Sequence, residues 1–418
     1  MNITVGIIGG GPAGLSAALY LRQIGVQAIV FEKNSNAEYR AGEHVSPECK
    51  PLLQKLKIPE SIVRDNAATC YAVSGTWGDD KLFSNDSIFN VYGDGFILSR
   101  PDFDNALLAF SKSSGVVIKA NMRVTDISRI NEKWCIRYKN STGNSAVLTD
   151  YILDASGKST KILNRLVTKK AKYDDLIGIT CLCKDLRTRA PARASIHIEA
   201  TKMGWWYSAI RKDNMLVATF MTDVDIYRKD IEKEERLWEC INTSIDTKNT
   251  ILKYKKINKI FVSPAQSQMQ TKMAGEFFLA VGDAAWSVDP LSSLGIYNAL
   301  CMGIDAAKSI FAHANGSILA LNEYQKKYTN LFYKYLSEKA YYYKLEKRWS
   351  ENIFWHRRHA MNWMDIPIKI DPGSKVRISK KNIDINTIRS ITPSIDFDLL
   401  LDIMEKSPVA SRAVLNYK

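Results

Sequence analysis

Residues 4–33 read TVGIIGGGPAGLSAALYLRQIGVQAIVFEK, and this stretch decides the fold. Val5, Ile7 and Ile8 predict a short buried strand, Leu15, Ala18, Leu19 and Leu21 recur at helical period, and Ala28 to Phe31 predict a second buried strand. Between strand and helix, Gly9, Gly11 and Gly14 fall in the G-x-G-x-x-G spacing. In that setting Gly9 permits a tight turn, Gly11 lets a pyrophosphate approach the backbone, and Gly14 lets the helix pack closely on the strand. Ala13 lies in the first turn of the helix, whose free N–H groups and positive dipole end suit phosphate. Glu32, eighteen residues after Gly14, is placed to accept from a ribose hydroxyl, with Lys33 beside it.

Two more stretches present backbone and acid in the same way. Ile152-Leu-Asp154-Ala-Ser-Gly157-Lys-Ser159 reads as a buried strand ending in Asp and Gly. Glu276 to Ala285 is another, ending in Gly282-Asp283, and Asp289-Pro290-Leu-Ser-Ser293-Leu-Gly295-Ile296 then leads into a helix through Ala312. Asp283 is positioned for a ribityl or ribose hydroxyl, and the helix opening at Ser293 and Gly295 can face a delocalised anion. The polar run Arg40-Ala-Gly-Glu43-His44-Val-Ser-Pro47 leaves the second strand where a loop of such a fold is expected to lie over a bound dinucleotide, with Arg40 placed to neutralise phosphate or flavin charge and Glu43 to orient it. A helix follows from Cys49 to Leu56, and another starts at Ser99-Arg100-Pro101.

The 418 residues predict two or three domains. Residues 1–75, 99–165 and 275–321 form a discontinuous cofactor domain, 76–98 and 166–274 a sheet domain, and 322–418 a helical region. Strands are expected over 116–120 and 122–127, with a hairpin pairing Trp134–Tyr138 with Ala146–Tyr151 across Gly143. In the sheet domain Trp205, Trp206 and Tyr207 are adjacent, so neighbouring rings point to opposite faces, and one face is a candidate pocket for an aromatic substrate. Residues 322–363 are expected to be helical, with Tyr324, Tyr328, Phe332 and Tyr335 on one stripe. That stripe either meets a membrane surface or partner, or packs on the cofactor domain. The tail from Ile370 predicts a basic linker and an amphipathic helix over Phe397–Glu405.

Composition narrows the class. Hydrophobic residues at 46% and charged residues at 24% are those of a soluble globular chain. No apolar run approaches the ~20 residues of a membrane span, and the apolar start is consumed by the first strand, so a cytoplasmic enzyme is expected. Seven cysteines without a framework read as free thiols, Cys181-Leu-Cys183 has the wrong spacing for zinc, and no metal site is expected. The formal charge of +14 admits an acidic partner or a lysine-rich compositional habit; no nucleic-acid motif accompanies it.

The order of these elements resembles the flavoprotein monooxygenase superfamily of the p-hydroxybenzoate hydroxylase fold, which includes flavin-dependent halogenases and geranylgeranyl reductases. The resemblance implies an α/β FAD-binding Rossmann-like domain, a mainly antiparallel substrate domain and a helical C-terminal extension. It also implies FAD, with Glu32 on the adenosine ribose, Arg100 near the pyrophosphate, Asp283 on the ribityl chain, and Gly295 and Ile296 beside the ring system. Asp154 with Gly157 makes a further backbone approach. Pro290, Ser293 and Gly295 match part of a halogenase motif whose leading Phe is Ser287 here, and the halogenase Trp-x-Trp-x-Ile-Pro segment has no counterpart.

Four segments look more closely like the flavoproteins encoded beside quinoprotein amino-acid oxidases, which mature the cysteine tryptophylquinone of the oxidase precursor. They are Arg40–Pro47, Gly204–Ser208 with Phe220–Asp223, Gly282–Ala285 with Asp289–Ser293, and Phe354–Arg358. This resemblance implies hydroxylation of a tryptophan in that precursor by FAD and molecular oxygen, in a dry pocket, with Glu43 or His44 as acid or base. A halogenase or hydroxylase of a small aromatic compound, a non-catalytic FAD-bearing assembly factor, and a membrane-bound prenyl reductase are the alternatives.

Overall fold

The computed structural model describes residues 3–33, 39–140, 143–159, 170–185, 194–227 and 234–360. The tail readings from Ile370 onward, including the helix over 397–405, lie outside these residues.

The apolar strand Thr4–Ile8 takes the centre of a six-stranded sheet, flanked by Tyr151–Asp154 and Gln27–Glu32, both parallel to it. Phe278–Ala280 and Val117–Ala120 extend the sheet in parallel, and Ala274–Gly275 adds an antiparallel edge. Strands of this kind are apolar throughout because both faces are covered. On one face the helices Pro12–Gln23 and Gly295–Ala314 cross closely: a Cβ on Gly303 would stand 1.9 Å from Ser16 Oγ. The small antiparallel sheet Arg123–Ile130, Lys133–Lys139 and Asn144–Thr149 contains the expected hairpin, but its second strand ends at Thr149, and Tyr151 begins the parallel strand.

The second layer is a nine-stranded sheet. Tyr254–Pro264, Leu176–Asp185, Met215–Asp223, Gly204–Ile210 and Ala194–Thr201 run antiparallel in that order, then Ala67–Thr76, Gly95–Leu98 and His44–Val45, with Leu82–Asp86 on Ala67–Thr76. Ala194–Thr201 and Ala67–Thr76 pair in parallel. Residues 44–45 and 67–75, expected in the cofactor domain, therefore pair in the sheet. This brings His44 onto a sheet edge.

The stretch over 322–363, expected to be helical, forms two helices within its described part, Ala320–Leu345 and Ile353–His359. Glu346 ends the first in extended backbone, and its buried carboxylate accepts from Gly78 N at 2.9 Å and from Arg348. Tyr324, Tyr328, Phe332 and Tyr335 are all buried in the core around the six-stranded sheet, with Trp286 against Phe332. The stripe is therefore packing, which removes the membrane-surface reading of it. Tyr343, Phe354 and Trp355 join the core of the large sheet. No helix among the described residues is long and apolar enough to cross a membrane.

Candidate active site

A cavity of about 1150 Å³ lies between the two layers. One wall is backbone. Gly9 takes φ +115°, and a Cβ there would meet Ala155 O at 2.3 Å, so the turn admits only glycine. Gly14 serves a different contact from the one its spacing suggests: its Cβ would stand 2.0 Å from Gly9 O, so it packs on the turn itself. Gly11, Gly157 and Gly295 all line the cavity, and a Cβ on any of them would meet nothing within 4 Å. At those three points the space a side chain would fill is open, a cradle for a long ligand with phosphates.

Helix ends add to that wall. Leu15 N makes the first bond of its helix, to Gly11 O, leaving the N–H groups of Ala13 and Gly14 unused by the helix. Ser293, in the left-handed region at φ 53°, turns the chain into the helix that starts at Gly295, whose first-turn N–H groups are similarly free of helical bonds. Ile296, Gly282, Asp283 and Pro290 line the cavity beside it. Asp289 also lines it, accepting from Leu291 N at 3.0 Å and from Tyr343 Oη at 2.8 Å.

Glu32 lines the cavity and accepts from Gly10 N at 2.6 Å, which ties the second strand to the glycine turn. Lys33 and Arg40 line it too, Arg40 bonded to Asp104 at 3.0 Å. Arg100 lines the cavity but is held by the chain: it donates to Asp104 at 3.3 Å, to Ala41 O at 2.7 Å and to Gly42 O at 3.1 Å. Asp154 is fully buried below the cavity, accepting from Ser156 N at 2.8 Å. Nearby, burial pulls Lys170 down to about 8, against the attraction of Asp154 and Asp283.

The opposite wall is side chains from the large sheet and the loop before it. Glu43 accepts from Tyr39 Oη at 2.9 Å, and burial pushes its carboxyl up from the ordinary range. His44 Nδ1 is buried without a hydrogen-bond partner among the described residues, and burial pulls the ring down to about 4, so it is neutral at pH 7. Tyr207 and Thr219 face each other in register and both line the cavity. Trp205 and Trp206, grouped with Tyr207 in the sequence reading, are fully buried and do not line it. Trp205 Nε1 donates to Tyr343 Oη at 2.9 Å, and Trp206 packs on Phe220.

Sequence reasoning missed Tyr39, Asp104 and Lys339. Asp104 is four residues after Arg100 on one helix, a spacing that signals an ion pair. Lys339 is buried between Asp174 and Asp289, at 2.5 and 3.1 Å, and the two carboxylates hold its ammonium well above the ordinary lysine range against burial. It continues the aromatic stripe from Tyr335 to Tyr343 at helical spacing, and a lysine on a buried stripe is itself the signal. Among the described residues no group of three or more His, Cys, Asp or Glu is arranged to hold a metal ion.

The chain is 29% identical over 371 residues to LodB of Marinomonas mediterranea, named as an FAD-dependent oxidoreductase, covering 85% of this chain and 96% of LodB. The myxobacterial chondrochloren halogenase CndH has the same fold, with a TM-score of 0.78 at 19% identity over 95% of this chain and 91% of CndH. So has QhpG, a peptidyl tryptophan dihydroxylase essential for tryptophylquinone cofactor biogenesis, with a TM-score of 0.70 at 19% identity over 90% of this chain and 86% of QhpG. The FAD binding domain family matches residues 2–329. The bare-backbone cradle and the two free helix ends fit the same cofactor: the chain belongs to the FAD binding domain family and is an FAD-dependent enzyme of the monooxygenase and halogenase fold.

Proposed function

We propose that this protein is an FAD-dependent monooxygenase that hydroxylates a tryptophan of a partner polypeptide, the precursor of a quinoprotein amino-acid oxidase, during formation of its cysteine tryptophylquinone. One observation carries the reading: a single cavity joins a wall of bare backbone suited to a dinucleotide to a wall of buried polar side chains suited to an aromatic ring. The likeness to QhpG over most of both chains, and to LodB over nearly all of LodB, supports it.

Bound and reduced, FAD supplies the activation of molecular oxygen toward an electron-rich aromatic carbon. The chain's own residues hold and enclose it. The N–H groups at Ala13 and Gly14 would hold phosphate, and those at Gly295 and Ile296 would hold the ring system. Glu32 would take a ribose hydroxyl and Asp283 the ribityl chain, while Lys33 and Arg40 would offset the cofactor's charge. Arg100 acts one step away, fixing the loop carbonyls of Ala41 and Gly42. Asp154 and Gly157 set the second backbone approach, and Pro290 with Ser293 sets the turn into the long helix. Glu43, held by Tyr39, would keep or release a proton at its carboxyl oxygens, and His44, kept neutral by burial, would offer its ring as a hydrogen-bond partner.

Halogenation of a small aromatic compound is the second reading. Pro290, Ser293 and Gly295 at the cavity and the fold of CndH favour it; the missing Trp-x-Trp-x-Ile-Pro segment places it second. Co-expression with the oxidase precursor, followed by mass analysis of its tryptophan- and cysteine-containing peptides, tests the first reading. Oxygen added to tryptophan by the wild type and lost with Asp283→Ala is the expected result. An unmodified precursor beside a flavin-loaded, oxygen-consuming wild type would overturn it in favour of free aromatic substrates. Precursor maturation that needs neither flavin reduction nor oxygen would make the protein an assembly factor.

A further inference from the structure

The strand Gly204–Ile210 sends Trp205 and Tyr207 to one face of the large sheet. Trp205 is satisfied by Tyr343. Tyr207, two residues on, lines the cavity with only 7% of its surface exposed, and its hydroxyl has no hydrogen-bond partner among the described residues. The polar groups around it are paired with one another. Thr219, opposite it in register, shares a 2.9 Å bond with Thr180, and Tyr39 donates to Glu43. The row closes on itself and leaves Tyr207 out. His44, another residue of the cavity lining, also has a buried atom without a partner among the described residues, Nδ1.

A buried hydroxyl left unpaired is destabilising, and a group in that state on a cavity wall recovers the loss when a ligand supplies the partner. Water or ligand can do so, but the position selects: Tyr207 stands on the side-chain wall, away from the glycine turn. A phenol oxygen accepts as well as donates, whereas an indole presents one N–H donor and no acceptor of comparable strength. We propose that Tyr207 Oη is the anchor for the ring N–H of an indole-type substrate, and that this bond makes the site prefer indoles over isosteric rings that lack the N–H. The inference rests on the proposed tryptophan chemistry and sharpens it to a single atom. A site built to bond a substrate N–H discriminates against the analogue without it, because the buried partner is then stranded.

The test titrates the FAD-loaded full chain with indole and with benzothiophene, its isostere without an N–H, following flavin absorbance in wild type and Tyr207→Phe. The wild type is expected to bind indole about tenfold more tightly. Tyr207→Phe is expected to abolish that preference by weakening indole alone, with the ligand-free flavin spectrum unchanged. Three results would overturn the assignment: a preference that survives in Tyr207→Phe, a wild type that shows no preference or binds neither ring, or a shifted ligand-free flavin spectrum in the variant, which would give the hydroxyl to the cofactor. The two readings fail separately. An unmodified precursor tryptophan with intact indole preference sinks the protein-substrate reading alone, and an oxidised tryptophan without that preference sinks the anchor alone.

Discussion

The cofactor wall of the cavity is backbone at Gly9, Gly11, Gly157 and Gly295, whereas the sheet wall is side chains, Tyr39, Glu43, Tyr207 and Thr219. Each piece of the first is specified within a few residues: one glycine spacing sets the turn and the helix start at Gly9–Gly14, and Gly157 and Gly295 each open the cradle from their own short segment. The second is assembled from afar, since Tyr39 reaches Thr180 across 141 residues at 3.5 Å and Thr219 meets it only through strand register. On the proposed function, cofactor binding falls to the first surface and substrate selection to the second.

Breaking the link between the walls has the largest expected effect. Lys339 joins Asp174, just before the sheet strand Leu176–Asp185, to Asp289 on the cofactor side. Lys339→Met leaves two buried carboxylates without their cation and is expected to cost about 3–5 kcal/mol of stability by urea denaturation. The cofactor wall alone comes next. Gly14→Ala forces a Cβ against Gly9 O and is expected to cost about 1–3 kcal/mol and to yield protein without bound flavin. Gly11→Ala, whose Cβ meets nothing, is expected to keep the stability and lose only FAD affinity.

The last comparison isolates the sheet wall through pH. Folded His44 titrates at about 4 against about 6.5 when unfolded, so between these values the unfolded chain binds more protons and stability falls as pH falls. Glu43, raised by burial, has the opposite sign: its contribution is lost as pH rises above the ordinary carboxylate value. Comparing His44→Leu with wild type removes the shared Glu43 contribution. The variant is expected to gain about 1–3 kcal/mol relative to wild type between pH 7 and pH 4, read by urea denaturation. A gap that does not move with pH would mean that His44 is solvated.

The same division explains what could be read before folding. The glycine turn, Asp283 and the Ser293–Gly295 helix start were legible because each is a local strand-turn-helix pattern, and all of them line the cavity. Gly14's partner was not, because only the folded turn brings Gly9 O to it. Three adjacent aromatic residues suggested a pocket, yet alternation along a strand says which rings share a face, not which face meets the cavity. Of the three, Tyr207 reaches it, while Trp205 is covered by Trp77 and by Tyr343 of the helix Ala320–Leu345. The helix break at Glu346 was hidden for the same reason: the acceptor of Gly78 N is chosen by tertiary contact.

If the cavity turns oxygen chemistry on a tryptophan held at the sheet wall, one turnover is enough to show it. The reduced, FAD-loaded protein is mixed with the oxidase precursor under heavy-isotope oxygen, with chloride and bromide present, and the mass of the tryptophan peptide is read. Heavy oxygen on the tryptophan and no halogen is the expected outcome. A halogen isotope pattern, or an unlabelled tryptophan after complete flavin reoxidation, would overturn the assignment of a tryptophan hydroxylase.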